Sequence, residues 1–530
     1  MPGGSEDIGP RRLRGGASKS RLETQVAPTR QEESKDAMNR AQTIKQLRDS
    51  GYQPRTVKQE MRANLIRAIE SGEDRFPGIV GYDKTALPQI ENALLSGHDF
   101  ILLGLRGQAK TRILRQLYRF LDEWVPAIEG CEINDDPMNP LCPVCQRKVA
   151  MHGDEVAIRW IPREERYREK LATPDVTIAD LIGDIDPIKA ANQKLSYSDP
   201  EVMHYGIIPR TNRGIFAINE LPDLQPRIQV GLLNILEEKD IQIRGFPIRL
   251  PLDLQIVFSA NPEDYTNRGN IITPLRDRIA SQIMTHYPYT IEDAMKVTSQ
   301  EAWVKRPDGI EILVPPYIQE LVEHVALQAR KSSYVDQSSG VSVRMTIALM
   351  ENIVSNAERR AIRTGERRQA VRICDLQNGI ASITGKVELV YEGEQEGAVA
   401  VAKHLVGKAV KEVFTKYFPD AYKAKEKNEG AASEYDPIFR WFAQGKKVEI
   451  SDELNAREFH QRLRQVAGLE ELPKRYLPVK DPAELPTAME FVLEALHQNS
   501  ILAKERTDTA ALAYTDMFST MLGKPEQAED

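Results

Sequence analysis

The sequence predicts an α/β fold: a parallel-sheet domain built around a glycine-bearing turn, then a helical lid domain and a further, mostly helical C-terminal region. Three observations predict it. The short apolar run Asp99–Leu103 leads directly into Gly104-Leu105-Arg106-Gly107-Gln108-Ala109-Lys110-Thr111 and then a helical stretch. Apolar strands alternate with helices from there to about Thr290, the pattern of a parallel sheet covered on both faces. Beyond Thr290 the strand signals cease and helical periodicity takes over.

Taken in order, residues 1–50 carry Gly, Ser, Arg and Glu with no apolar rhythm and read as a solvated tail. Residues 51–75 read as an entry helix. Val57, Met61, Leu65, Ile66 and Ile69 recur at helical spacing after Thr56, and Gly72 and Pro77 stop the run. The sheet domain spans 76–290. It opens with the turn-rich link Phe76–Gly81 and a helix over Lys84–Leu95, followed by the strand Asp99–Leu103 and a helix over Arg112–Val125. Further strands are predicted at Val156–Ile161, Gly214–Ile218 and Leu254–Ser259, with a helix at Ile228–Glu238. Two insertions interrupt them: Leu171–Pro209, rich in Asp, Pro and Gly, and a hairpin over Asp240–Pro251 centred on Gly245. The lid domain, 291–385, holds helices at Tyr317–Arg330, Val343–Thr364 and Ile373–Thr384. The last region, 386–530, holds helices near Val399–Tyr417, Ala456–Val466 and Ala488–His497, with Pro-rich joints over Leu472–Pro486.

A chain of 530 residues exceeds the size at which one hydrophobic core stops growing, so several domains are expected. With 41% hydrophobic and 28% charged residues, disorder throughout is excluded. A net charge of −7 argues against a protein that coats nucleic acid through its overall field. No apolar run is long enough to span a membrane, and the N-terminal segment lacks the apolar stretch of a secretory leader. Four cysteines are too few to staple so long a chain, and a cytoplasmic address is expected.

The chemistry concentrates at three strand ends. Glycines in Gly104–Thr111 let backbone N–H groups converge on a phosphate at a helix N-terminus. Lys110 would neutralise the β and γ phosphates, and the Thr111 hydroxyl would ligate Mg²⁺. The nucleotide-binding set is Gly104, Arg106, Gly107, Gln108, Ala109, Lys110, Thr111 and Arg112, with Ala109 where the last glycine of the usual pattern stands. The strand Gly214–Ile218 ends in Asn219-Glu220, where an Asp-Glu pair is usual. Asn219 occupies the position that holds the magnesium, and Glu220 that of the base polarising the attacking water. At the third strand end, Asn261 can orient water towards the γ-phosphate, or simply start a turn with Pro262.

In this order and spacing the three elements resemble the AAA+ ATPases, within them the branch of magnesium chelatase ATPase subunits and MoxR proteins. The run Tyr205-Gly206-Ile207-Ile208-Pro209-Arg210-Thr211-Asn212-Arg213-Gly214, the helix after Leu224 and the hairpin over 240–251 are similar to that branch. The resemblance covers about 76–385, is densest over 204–280 and fades after 385. It implies that Asn261 is sensor 1 and that Arg278 is an arginine finger serving the neighbouring subunit, with Arg276 as competitor. It further implies that Arg344, in Ser342-Val343-Arg344, is sensor 2, and that Ile79 and Val80 line the adenine. ATP with Mg²⁺, a homo-oligomeric and hexameric ring, and a protein client follow from the same resemblance, as does a partner bearing a von Willebrand factor A domain. A slow ATP-binding switch or scaffold is the alternative, motivated by Asn219 and Ala109. Activators of sigma factor 54 carry a Gly-Ala-Phe-Thr-Gly-Ala loop, which this sequence lacks.

Cys142-Pro143-Val144-Cys145 has the spacing of a zinc half-site, and Cys131 and His152 would complete a Cys3His set for a structural Zn²⁺. Plain thiols are the other reading.

Overall fold

The structure, a computed structural model, describes residues 40–517 apart from 195, 197–198, 243–248, 263–268, 307–308, 422, 424–432 and 507–510. Five strands form the central sheet: β1 (Phe100–Leu103), β2 (Tyr167–Leu171), β3 (Gly214–Asn219), β4 (Leu254–Ala260) and β5 (Ser281–Met284). Their order across the sheet is β5-β1-β4-β3-β2, and every pair is parallel. Side chains alternate between two buried faces. Phe100, Leu102, Ile215, Ala217, Val257 and Ile283 pack into one core, while Ile101, Leu103, Phe216, Ile218, Ile256 and Phe258 pack into the other. Burial on both faces explains why these strands read as unbroken apolar runs.

Helices α1 (Val57–Ser71), α2 (Ala86–Leu95) and α3 (Lys110–Gln116) belong to the same domain. A capping box starts α1, in which Thr56 and Gln59 satisfy each other's backbone N–H groups, and left-handed Gly72 ends it. The expected tail falls largely on 1–39, outside the described residues. Its last part is not solvated: Ile44–Asp49 is a helix whose Ile44 and Leu47 are buried.

Two expectations need correction. The helix read over Arg112–Val125 ends at Gln116, passes through a 3-10 turn at Leu117–Phe120, and gives way to a strand at Trp124–Ile128. Pro126 disfavours a helical Val125 before it, and this strand pairs antiparallel with Ile158–Pro162. The strand foreseen at Val156–Ile161 is therefore that hairpin partner, outside the central sheet. The sheet's edge is β2, a strand not expected from the sequence, of which only Leu171 belongs to the expected Leu171–Pro209 insertion. Its start is pinned by Arg166, whose guanidinium donates to both carboxylate oxygens of buried Glu60 at 3.0 and 2.7 Å. The hairpin at 240–251 forms through Asp240–Gln242 and Arg249–Pro251, while its tip at 243–248 lies outside the described residues.

Beyond the sheet, α4 (Ile291–Glu301), α5 (Pro316–Ala329), α6 (Arg344–Thr364), α7 (Ala398–Tyr417) and α8 (Leu485–Gln498) dominate. One hydrophobic core runs from Tyr317 to Tyr514, with Phe414, Phe418 and Phe491 at mutual ring contact. The boundary expected at 385/386 falls inside that core. Small strands add to it: Glu311–Leu313 beside Arg368–Ala370, and an antiparallel trio of Val448–Ile450, Leu512–Asp516 and Leu502–Arg506. Among the described residues no helix is long and apolar enough to cross a membrane.

Candidate functional site

The turn after β1 is shaped by close approach. Gly104 donates its N–H to Ala260 O on β4 at 3.2 Å. A Cβ at Gly104 would meet Thr285 Oγ1 at 1.9 Å and Gln108 Oε1 at 2.1 Å. Gly107 has φ +77° and would place a Cβ 2.1 Å from Ser342 Oγ, so the turn and the lid touch at backbone distance. Ala109 adopts φ 57° without being glycine, a left-handed pose that costs about 1 kcal/mol. Lys110, at the start of α3, is buried. Its ammonium donates to the carbonyls of Gly104 and Leu105 (3.0 Å to the latter) and to Asn261 Oδ1 at 2.6 Å.

Strand register brings the polar tips to this turn. Because Phe258 lies opposite Ile218, Ser259 comes next to Asn219. The Asn219 Oδ1 accepts from Ser259 Oγ at 3.0 Å and from Thr111 Oγ1 at 3.4 Å. Glu220 is left-handed, with φ 56°, and its N–H donates to Ser259 Oγ at 3.3 Å. Asn261 completes the link by donating Nδ2 to Glu220 Oε2 at 3.0 Å. Lys110, Asn261 and Glu220 thus form one hydrogen-bonded line across β1, β4 and β3, with Thr111 and Asn219 beside it.

Residues not singled out from the sequence hold the turn. Tyr82 Oη donates to Gln108 O at 3.0 Å and His286 O at 2.5 Å, and burial pushes its phenol up to about 12. Thr285 Oγ1 donates to Gln108 Oε1 at 2.8 Å, and Tyr287 Oη donates to Arg106 O at 3.0 Å. Ser259 alone had a sequence signal, being the polar residue two before Asn261 after the apolar run Ile256–Phe258. The flanking arginines are tied to the helical part: Arg106 to Glu388 at 2.6 Å, and Arg112 to Glu301. Ile79 is buried and Val80 half-buried in the link before α2, and Gly78 between Pro77 and Ile79 approaches the Arg112 guanidinium.

The two arginines assigned to sensing and to a neighbour do not join this group within the chain. Arg278 ends the helix Thr273–Arg278 and is held by Glu237, Nε to Oε2 at 2.7 Å, while Arg276 is exposed. Arg344 opens α6 with an exposed side chain, two residues after the Ser342 that meets Gly107.

The cysteine cluster differs from expectation in one member. Cys131, Cys142 and Cys145 gather with Asp135, all buried, whereas His152 is exposed at the end of the helix Pro143–His152. Hydrogen bonds from Cys142 and Cys145 hold the Cys131 thiol well below the usual thiol range. Burial and that neighbouring charge push the Asp135 carboxyl up to about 6.

Residues 156–279, which include β2, β3, β4 and the helix ending at Arg278, match the family model of the AAA domain, dynein-related subfamily. That stretch is similar to an AAA domain. Over 87 residues it is 30% identical to the hydrogenase transcriptional regulatory protein HoxA of Cupriavidus necator, a match covering 16% of this chain and 18% of that relative. The chain thus spans less than a fifth of that relative's length. Among solved structures, a cryo-electron-microscopy complex of the BchI and BchD subunits of magnesium chelatase aligns at 19% identity and a TM-score of 0.31, covering 61% of this chain and 98% of that one. NtrX of Brucella abortus aligns at 15% identity and a TM-score of 0.34, covering 69% of each chain. The phosphate turn precedes the segment matched as the AAA domain, so the turn's geometry stands on the residues described above.

Proposed function

We propose that the chain is an Mg²⁺-dependent AAA+ ATPase of the magnesium chelatase and MoxR type, working as a homo-oligomeric ring that remodels or assembles a protein client. A partner with a von Willebrand factor A domain belongs to this reading by resemblance. One observation carries it: Lys110, Thr111, Asn219, Glu220 and Asn261 converge at the carboxyl ends of three adjacent parallel strands, the edge at which open α/β sheets bind ligands.

The residues present fit a nucleotide triphosphate. Gly104 and Gly107 leave no room for side chains where the backbone crowds, and a buried ammonium and a hydroxyl open α3. Magnesium bound with the nucleotide supplies charge neutralisation of the phosphates. On this reading Lys110 exchanges its carbonyl partners for phosphate oxygens, and Thr111 and Asn219 offer oxygens to the metal side. Glu220 accepts the proton of the attacking water, and Asn261, already bonded to both Lys110 and Glu220, fixes their separation.

Replacing Glu220 by Gln keeps the size and the hydrogen bond from Asn261 while removing the base. The variant is expected to bind ATP like the parent and to release phosphate about 10² to 10⁴ times more slowly. Loss of nucleotide binding in the variant, or no ATP turnover in the parent at any protein concentration, would sink the motor reading. The amide at Asn219 favours a second reading, a slow ATP-dependent switch. In that case parent and Glu220→Gln would differ little in turnover.

A further inference from the structure

Residues 129–155 leave the strand Trp124–Ile128 and return to its partner Ile158–Pro162 as an excursion whose root is buried. At that root the ligand atoms of Cys131, Asp135, Cys142 and Cys145 all lie within 4.8 Å of one another. We propose that these four side chains bind one Zn²⁺ ion in a closed tetrahedral Cys3Asp site, and that the metal braces the chain run that feeds β3. This inference is independent of the reading of the nucleotide site.

Spacing is the first argument. With Zn–S bonds of about 2.3 Å, tetrahedral sulfurs stand about 3.8 Å apart, which suits four atoms gathered this tightly. Backbone geometry is the second. Cys142 caps the helix Pro143–His152, and its sulfur accepts the Cys145 N–H at 3.3 Å. The Cys131 sulfur accepts the Asp135 N–H at 3.5 Å. Two left-handed residues, Gly130 and Asn134, turn 131–135 back on itself so that both ends face the same point. N–H donors on sulfur favour the thiolate, the form that binds metal.

Asp135 is the decisive residue. It is fully buried, its Oδ2 accepts the Cys142 N–H at 2.9 Å, and its Oδ1 has no hydrogen-bond partner among the described residues. A buried carboxylate oxygen left unpaired loses its hydration without a replacement, and a cation among three thiols removes that cost. Tyr205 repeats the pattern. Its hydroxyl is buried without a partner among the described residues and lies in electrostatic reach of Cys142, Cys131 and Asp135. His152, exposed at the far end of its helix, stands outside the set.

The brace follows from the contacts of the same turn. Asn134 Nδ2 donates to Arg210 O at 3.2 Å, and Asn212 Nδ2 donates to Ile133 O at 3.1 Å. Metal at 131–145 therefore fixes the stretch immediately before Gly214, where β3 begins on its way to Asn219 and Glu220.

The full-length chain, purified under reducing conditions and passed through a desalting column, is expected to hold one zinc per chain by mass spectrometry of the metals. X-ray absorption at the zinc edge is expected to give three sulfur neighbours and one oxygen. Cys145→Ser and Asp135→Ala should each lose the zinc, while His152→Ala should keep it in full. If a variant fails to fold, the absorption spectrum of the parent decides alone. No zinc above the buffer blank, iron in its place, or a nitrogen ligand that disappears in His152→Ala would each overturn the proposal.

Discussion

At Asn219 one amide oxygen receives two hydroxyls, Thr111 Oγ1 at 3.4 Å and Ser259 Oγ at 3.0 Å. An aspartate has the same shape and would accept both, with the gain that charge-assisted bonds bring over neutral ones. Asn219→Asp is therefore expected to fold normally and, if Asn219 faces the metal side of the nucleotide, to raise magnesium-dependent ATP turnover about tenfold, equivalent to about 1.4 kcal/mol. Steady-state phosphate release checks this, and an unchanged or lower rate would show that the position does not serve the metal. Gly107 offers the opposite test. Its φ of +77° and the Ser342 Oγ 2.1 Å from a virtual Cβ leave no conformation that an alanine can take without moving the turn or the lid. Gly107→Ala should weaken ATP binding by about tenfold or more, since a left-handed non-glycine alone costs about 1–2 kcal/mol, while the melting of the helical part stays as in the parent. Equilibrium nucleotide titration reads the first effect and calorimetry the second.

Three helices of the lid meet at one buried carboxyl. Glu323 on α5 accepts from Thr298 Oγ1 on α4 at 2.5 Å, and Thr298 pairs with Thr346 on α6 at 3.0 Å. Burial raises the Glu323 carboxyl from an ordinary 4.5 to about 7. The folded chain then holds that proton more tightly than the unfolded chain does. The resulting stability is complete below about 4.5 and is lost as pH rises to about 7, an effect of about 3 kcal/mol. Glu323→Gln removes the titration, so the variant should gain stability relative to the parent on going from about pH 5 to about pH 8. Denaturant melts at both values check it, and curves that stay parallel refute it. The same elements explain what sequence could and could not disclose. The strands β1, β3 and β4 were legible because both faces are buried, which leaves apolar runs ending abruptly in Asn219-Glu220 and Asn261. The edge strand β2, Tyr-Arg-Glu-Lys-Leu, is half-solvated and reads as surface. Trp124 and Val125 looked helical because they continue the apolar residues of α3, and only Pro126 argued otherwise. Asp135 was invisible as a partner of Cys131 because a left-handed Asn134 folds it back.

For the whole molecule, the question is whether the group around Lys110 and Glu220 is complete in one chain. Arg278 is bonded to Glu237 and to Pro274 O of its own helix, and does not reach the turn. If it serves a neighbour, arginines of this kind supply on the order of 10³ to 10⁵ in rate, and Arg278→Ala should silence turnover while each chain still binds ATP. A purely structural arginine would give the same loss through misfolding, so the two readings need an experiment they answer differently. Glu220→Gln chains keep the finger and lack the base; Arg278→Ala chains keep the base and lack the finger. Mixed in equal amounts and allowed to exchange, they place an intact base beside an intact finger at about a quarter of the interfaces of a head-to-tail ring. Phosphate release should reappear at about that fraction of the parent rate, although neither variant hydrolyses ATP alone. Activity that stays absent after exchange has been verified by subunit labelling would assign Arg278 to its ion pair with Glu237. Repeating the mixture with Arg276→Ala separates the neighbouring candidate: if Arg276 is the finger, Arg276→Ala is silent alone and recovers in the mixture, whereas Arg278→Ala hydrolyses ATP without a partner variant.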